Sequence, residues 1–110
     1  MKQGEIWELY LNPTKGSEQS GRRPAVIISG NMLNNHLQVV IVCPLTTSIK
    51  NYKGNLIINP NEINGLEKTS EVLTFHVRSV SKTRLEKKIG EIPLKDIEVI
   101  KKTLNDILKF

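Results

Sequence analysis

The residues able to do chemistry sit at the ends of apolar runs. Arg22 and Arg23 stand directly before Pro24-Ala25-Val26-Ile27-Ile28, and Pro44-Leu45-Thr46-Thr47-Ser48 follows the run Leu37–Cys43. Arg78, Lys82 and Arg84 add cations further along. An arginine fork beside a hydroxyl suits phosphate oxygens, because the planar guanidinium offers parallel N–H donors and stays charged. If 25–28 and 37–43 are neighbouring antiparallel strands, Arg23 and Thr46 fall at the same sheet edge. In the alternative reading Arg23 pairs with Glu18 or Glu71, and Thr46 caps a turn. Other chemistries are poorly served. His36 and His76 are far apart, and Cys43 is the one cysteine, set inside an apolar run with no cation beside it. That pattern is a packed thiol rather than a nucleophile or a metal ligand. His36 reads as a surface turn residue. No phosphate-cradling glycine loop or dinucleotide fingerprint is present, and no metal or cofactor is expected.

The elements that must position these groups follow from periodicity. Gly4–Leu11 alternates as a half-buried strand, closed by Asn12-Pro13. Residues 12–21 form a polar loop longer than a usual strand connection, and its place before Arg23 suits a lid. Ala25–Ile28 is short, β-branched and uninterrupted, a strand buried on both faces, with Pro24 tolerated at its first position. Gly30–His36 is read as a turn, Leu37–Cys43 as the central strand and Asn55–Ile58 as a short strand. Glu71–Val80 alternates throughout and predicts one long strand. Ser81–Arg84 predicts a single helical turn, and Ile89–Ile92 a short final strand. Pro93 permits a helix to begin. Beyond it Leu94, Ile97, Ile100, Leu104, Ile107 and Leu108 recur at three and four, an amphipathic stripe. The class is α+β and mainly β: a small twisted sheet or partly open barrel capped by a C-terminal helix.

Size and charge narrow the function. The chain has 110 residues, enough for one core and so one domain over 1–110. A formal net charge of +5 makes a polyanion a plausible partner. One cysteine excludes an internal disulfide and suits a reducing compartment. No stretch approaches the roughly 18 apolar residues of a membrane span and no signal peptide opens the chain, so a cytoplasmic protein is expected.

Several blocks, in order and spacing, resemble the MazF/PemK toxins of bacterial toxin–antitoxin pairs. They are Gly4-Glu5-Ile6-Trp7, Gly16-Ser17-Glu18-Gln19, Gly21-Arg22-Arg23-Pro24, Pro44-Leu45-Thr46-Thr47 and Val77–Leu85. The resemblance implies a CcdB-like fold with SH3-like barrel character, a homodimer, and a cognate antitoxin partner. It implies metal-independent, sequence-specific cleavage of single-stranded RNA, leaving a 2′,3′-cyclic phosphate and a 5′-hydroxyl. It carries catalytic roles onto Arg23, Thr46 and Glu18. RNA contacts then fall to Ser17, Gln19, Arg22, Thr47, Ser48, His76, Arg78, Lys82 and Arg84. The chain departs from the family at Phe75-His76, where some members carry an acidic residue before a base-contacting glutamine. A carboxylate base from that strand is therefore absent, and the arginine–threonine mechanism remains. The competing class is a non-catalytic module on the same fold, either a gyrase poison like CcdB or a plain RNA-binding domain.

Overall fold

The fold is built around one strand that carries two different partners along one edge. The computed structural model describes residues 1–11 and 21–109, with Leu11 described in its backbone only. The expected lid at 12–20, with Ser17, Glu18 and Gln19, lies outside the described residues. The chain forms β1 (Glu5–Leu11), β2 (Gly21–Ile27), α1 (Asn31–His36), β3 (Val39–Thr46), β4 (Ile57–Ile58), β5 (Ser70–Val72), β6 (Arg78–Ser81), β7 (Leu85–Glu91) and α2 (Leu94–Ile107). All strand pairings are antiparallel, in the order β4-β5-β3-β2-β1-β7, with β6 also on β3.

β6 and β7 lie on opposite sides of this order, yet only the 3-10 turn Lys82–Arg84 separates them. So short a link forces the sheet to curl until its ends approach, giving an open barrel. Leu9, Ala25, Ile27, Val40, Val42, Val80 and Leu85 fill its interior, with Trp7 packed against them. The alternate residues of the same strands, Ile6, Val26, Ile28, Cys43 and Leu45, face outward onto Ile97 and Ile100 of α2 and onto Ile58, Leu66 and Val72. Strict alternation with both faces covered is why the 25–28 and 39–45 runs have no polar positions.

Two prolines shape the ladder. Ile28 N–H donates to Ile41 O on β3, so by alternation the nitrogens of residues 26 and 24 face the same way. β2 begins three residues before Pro24 rather than at it, and pairing to β3 starts only at Ala25. The missing Pro24 N–H thus falls just past the end of the ladder, where it costs little. Pro44 lies within β3, and its carbonyl accepts from Leu73 N–H at 2.9 Å. Its absent N–H therefore faces the same neighbour, which cannot pair continuously there. The long strand expected over Glu71–Val80 is accordingly split into β5 and β6 by the 3-10 turn Thr74–His76. Leu45 opposes Val72 but Val42 opposes Arg78, so a step of three residues along β3 matches a step of six along the returning chain. The three-residue excess has the length of that turn.

Two further expectations are corrected. Gly30–His36 is not a turn but holds α1. Asn34 is buried there, donating to Ser29 O at 2.9 Å and accepting from Ser29 Oγ, and Ser29 Oγ accepts the Ile41 N–H of β3 at 3.0 Å, so this anchoring to the sheet outweighs weak local propensity. The α2 stripe is narrower than the periodicity suggests. Ile97, Ile100 and Thr103 are buried, whereas Leu94 and Leu108 are exposed, Leu108 at 76%. Among the described residues no helix is long and apolar enough to cross a membrane.

Candidate active site

Arg23 and Thr46 are brought to one place by the β2–β3 register. Ala25 opposes Pro44, and continuing the register by two residues sets Arg23 opposite Thr46. Both share the parity of the barrel-lining side chains, Ala25 and Ile27 on β2 and Val40 and Val42 on β3. They therefore stand at the rim of the barrel on its inner side, each half-buried. Thr46 Oγ1 accepts the Ser48 N–H at 3.1 Å. The expected alternative, that Thr46 caps a turn, is thus realised without removing it from the site. One of its lone pairs is engaged, and among the described residues its O–H has no acceptor, which leaves the proton able to donate outward. Thr47 and Ser48 follow on the exposed surface.

The two arginines diverge because neighbours on a strand point to opposite faces. Arg22 lies on the outer face across from Tyr10, its guanidinium 5.0 Å from the ring centroid. Its Nε donates to Glu86 Oε1 at 2.7 Å and lies 3.9 Å from Glu8 Oε1. Arg23 has no ion pair among the described residues.

Thr46 is held from its other side by a residue that sequence reading weighed only as a salt-bridge partner. Glu71 opposes Thr46 in the β3–β5 ladder and is fully buried. It does not pair with Arg23. Its Oε1 accepts the N–H groups of Lys50 and Asn51 at 2.8 and 2.9 Å, and its Oε2 accepts Tyr52 N–H at 2.9 Å and Asn55 Nδ2 at 3.0 Å. Burial pushes this carboxyl's pKa up, but the hydrogen bonds from Asn55, Lys50, Asn51 and Tyr52 outweigh it and hold the pKa below the ordinary value. Asn51 has φ +54°, a left-handed conformation that asparagine tolerates. It turns three successive N–H groups onto one carboxylate, an anion-holding nest made from the chain itself. The loop after Thr46 is thereby fixed. Nothing local marks Glu71 for this role, because its partners lie about 20 residues away.

The remaining candidates disperse. His76 is half-buried in the Thr74–His76 turn, its ring 4.5 Å from that of Phe75. Arg78 opposes Val42 and is exposed, four residues along β3 from Thr46, or roughly 13 Å. Lys82 N–H donates to Gln38 O beyond the opposite end of β3, and its Nζ donates to Asn34 O. That contact ties Lys82 to α1. Arg84 precedes Leu85, which opposes Leu9, itself opposite Arg23. Arg84 thus approaches the rim from the far side of β1. Lys88 is drawn off by Glu5 at 3.3 Å and Glu91 at 3.5 Å.

A cleft of about 480 Å³ is lined by Glu8, Pro24, Thr47, Leu66, Lys68 and Lys87, among others. Glu8 and Pro24 share the outer face, so this cleft lies behind the Arg23–Thr46 rim and not in it. Burial pushes the Cys43 thiol up to about 12, which removes it as a nucleophile. Among the described residues no three His, Cys, Asp or Glu side chains gather to hold a metal ion.

Comparison with known proteins adds a family. Residues 2–108 match the PemK-like, MazF-like toxins of type II toxin–antitoxin systems. The chain is 30% identical over 105 residues to the endoribonuclease toxin MazF of Escherichia coli K12, covering 96% of this chain and 91% of the relative. Endoribonuclease MazF of Staphylococcus saprophyticus is also 30% identical, over 107 residues and 88% of its length. Crystalline MazF from Deinococcus radiodurans superposes with a TM-score of 0.81 at 28% identity, covering 98% of this chain and 96% of that one. A MazE–MazF crystal structure from the same organism gives 0.79 at 28% identity, covering 98% and 95%.

Proposed function

The chain belongs to the PemK-like, MazF-like toxins of type II toxin–antitoxin systems, and from that premise we propose the chemistry of its endoribonuclease activity. It cleaves single-stranded RNA at specific sequences without a metal ion, as one domain over residues 1–110. The 2′-oxygen of the substrate attacks the adjacent phosphorus, the bond to the 5′-oxygen breaks, and the products carry a 2′,3′-cyclic phosphate and a 5′-hydroxyl. Negative charge grows on the phosphorane oxygens, where a fixed guanidinium and a hydroxyl donor bind more tightly than in the ground state. Arg23 supplies the first and passes a proton to the leaving 5′-oxygen, while the proton released by the attacking 2′-hydroxyl passes through water and restores the guanidinium, so that it ends the step charged; Thr46 supplies the second. Glu18 joins them by family resemblance. The supporting observation is the β2–β3 register, which sets Arg23 opposite Thr46 while Ser48 N–H orients the hydroxyl.

RNA contacts extend to Ser17, Gln19, Thr47, Ser48, His76, Arg78 and Arg84. A cognate antitoxin neutralises the toxin, as the pairing named in the Deinococcus radiodurans complex suggests, and the net charge of +5 suits an acidic one. The toxin works in the cytoplasm as a homodimer, for which exposed Val99 and Ile107 of α2 and Leu108 just beyond it offer apolar contact area. The test is incubation of purified protein with mixed-sequence RNA in excess EDTA, followed by mapping of new ends. New 5′-hydroxyl ends clustered at one short motif are expected. Intact RNA, or cleavage that EDTA abolishes, refutes the proposal.

A further inference from the structure

Beyond the Glu71 nest the same loop presents an aromatic surface of which the reading above uses only His76. The chain has only two Phe, one Trp and two Tyr, yet Tyr52 and Phe75 meet in the open, 50% and 48% exposed. Their rings lie 5.3 Å apart at 85°, edge to face, and Phe75 continues onto His76 at 4.5 Å. The edge-on contact leaves ring faces uncovered.

This surface is held rigid from beneath. Tyr52 N–H is one of the four donors on buried Glu71, and Thr103 Oγ1 of α2 donates to Gly54 O at the far end of the loop. It is also tied to the catalytic rim, because Glu71 is the direct cross-strand partner of Thr46. The surroundings are cationic. Lys50 and Lys53 flank Tyr52, Arg78 stands two residues past His76, and neither 47–55 nor 74–80 contains an acidic residue. Glu71, the carboxylate directly beneath the loop, is buried and accepts four donors. Exposed, pre-ordered π faces among cations match an unpaired nucleobase with its phosphates better than an apolar peptide.

We propose that Tyr52 and Phe75, with His76, form a stacking platform for an unpaired base of the RNA substrate, next to the phosphate held by Arg23 and Thr46. This rests on the endoribonuclease reading, and the experiment separates the two. A single-stranded oligonucleotide containing the mapped cleavage motif is made with 2′-fluorine in place of every 2′-hydroxyl, so that it binds without being cut. 2-Aminopurine replaces one base at a time, and its fluorescence falls when it stacks.

Quenching is expected at one or two adjacent positions. Phe75→Leu and Tyr52→Leu, which keep apolar bulk, abolish that quenching and each weaken binding about 5- to 150-fold, while Phe75→Tyr retains it. Melting curves check that each variant is folded. Quenching and affinity unchanged in folded Phe75→Leu overturn the platform and leave cleavage standing. Failure of the parent to cleave or bind RNA overturns the endoribonuclease reading and the platform with it. A shift from dimer to monomer in Phe75→Leu with quenching unchanged assigns the surface to contact between copies, and also overturns the platform.

Discussion

Glu71→Gln tests the nest beneath the loop. In the parent, each carboxylate oxygen accepts two donors. Glutamine keeps one oxygen and turns the other into an NH₂ group that faces two N–H donors. Two hydrogen bonds to a charged acceptor are lost, at about 1.5–3 kcal/mol each. Residues 50–52 are exposed and can rehydrate, which reduces the loss to about 2–4 kcal/mol. At this chain length that is a fall in melting temperature of roughly 8–16 °C. The pH dependence has a fixed sign. The folded-state pKa lies below its ordinary value of 4.5, so the stabilisation is fully present above about 4.5 and is lost as pH falls through the folded value. The gap between parent and variant is therefore widest at neutral pH and narrows in acid. Urea unfolding followed by circular dichroism at pH 7 and at steps below 4.5 measures it. A variant as stable as the parent at pH 7, or a gap that stays constant into acid, would show that the four hydrogen bonds do not organise the loop.

Three further outcomes follow from the same geometry. Arg23→Ala lowers cleavage about 10²–10⁵-fold and Thr46→Val about 10- to 150-fold, and the double variant is less impaired than the product of the singles because both serve one transition state. Single-turnover cleavage of one RNA measures all three, with Arg23→Lys a poor rescue because the planar fork is gone. Ile100 is fully buried, so Ile100→Ala costs about 2–5 kcal/mol, whereas exposed Leu94→Ala, outside the proposed dimer contact, stays within about 0.5 kcal/mol; denaturant midpoints distinguish them. Arg78→Gln with Arg84→Gln reduces the slope of log affinity against log salt by about 1.4, while Arg22→Gln leaves it unchanged because Glu86 already engages that guanidinium.

Local pattern alone determined a good part of this protein. Period two in 5–11 and the apolar runs at 25–28 and 37–43 marked strands, since side chains alternate across a sheet whatever packs against it. Period 3.6 after Pro93 marked α2 for the same kind of reason. From the order of a Gly-Arg-Arg-Pro block and a Thr-Thr pair, Arg23 and Thr46 share a sheet edge on the condition that their runs are antiparallel neighbours, a condition the β2–β3 register meets, and the family blocks added the toxin fold. Tertiary structure decided what depends on partners distant in sequence. The break at Thr74–His76 arises because Pro44, about 30 residues earlier, withholds a donor from the facing strand. α1 is anchored because buried Asn34 bonds Ser29, whose Oγ in turn accepts the Ile41 N–H of β3. Glu71 reads as an ordinary strand carboxylate until the 50–55 loop folds over it, and Tyr52 meets Phe75 only as a result. Which α2 residues are covered also awaited the sheet, because periodicity gives a stripe its direction while the width buried depends on the surface that receives it.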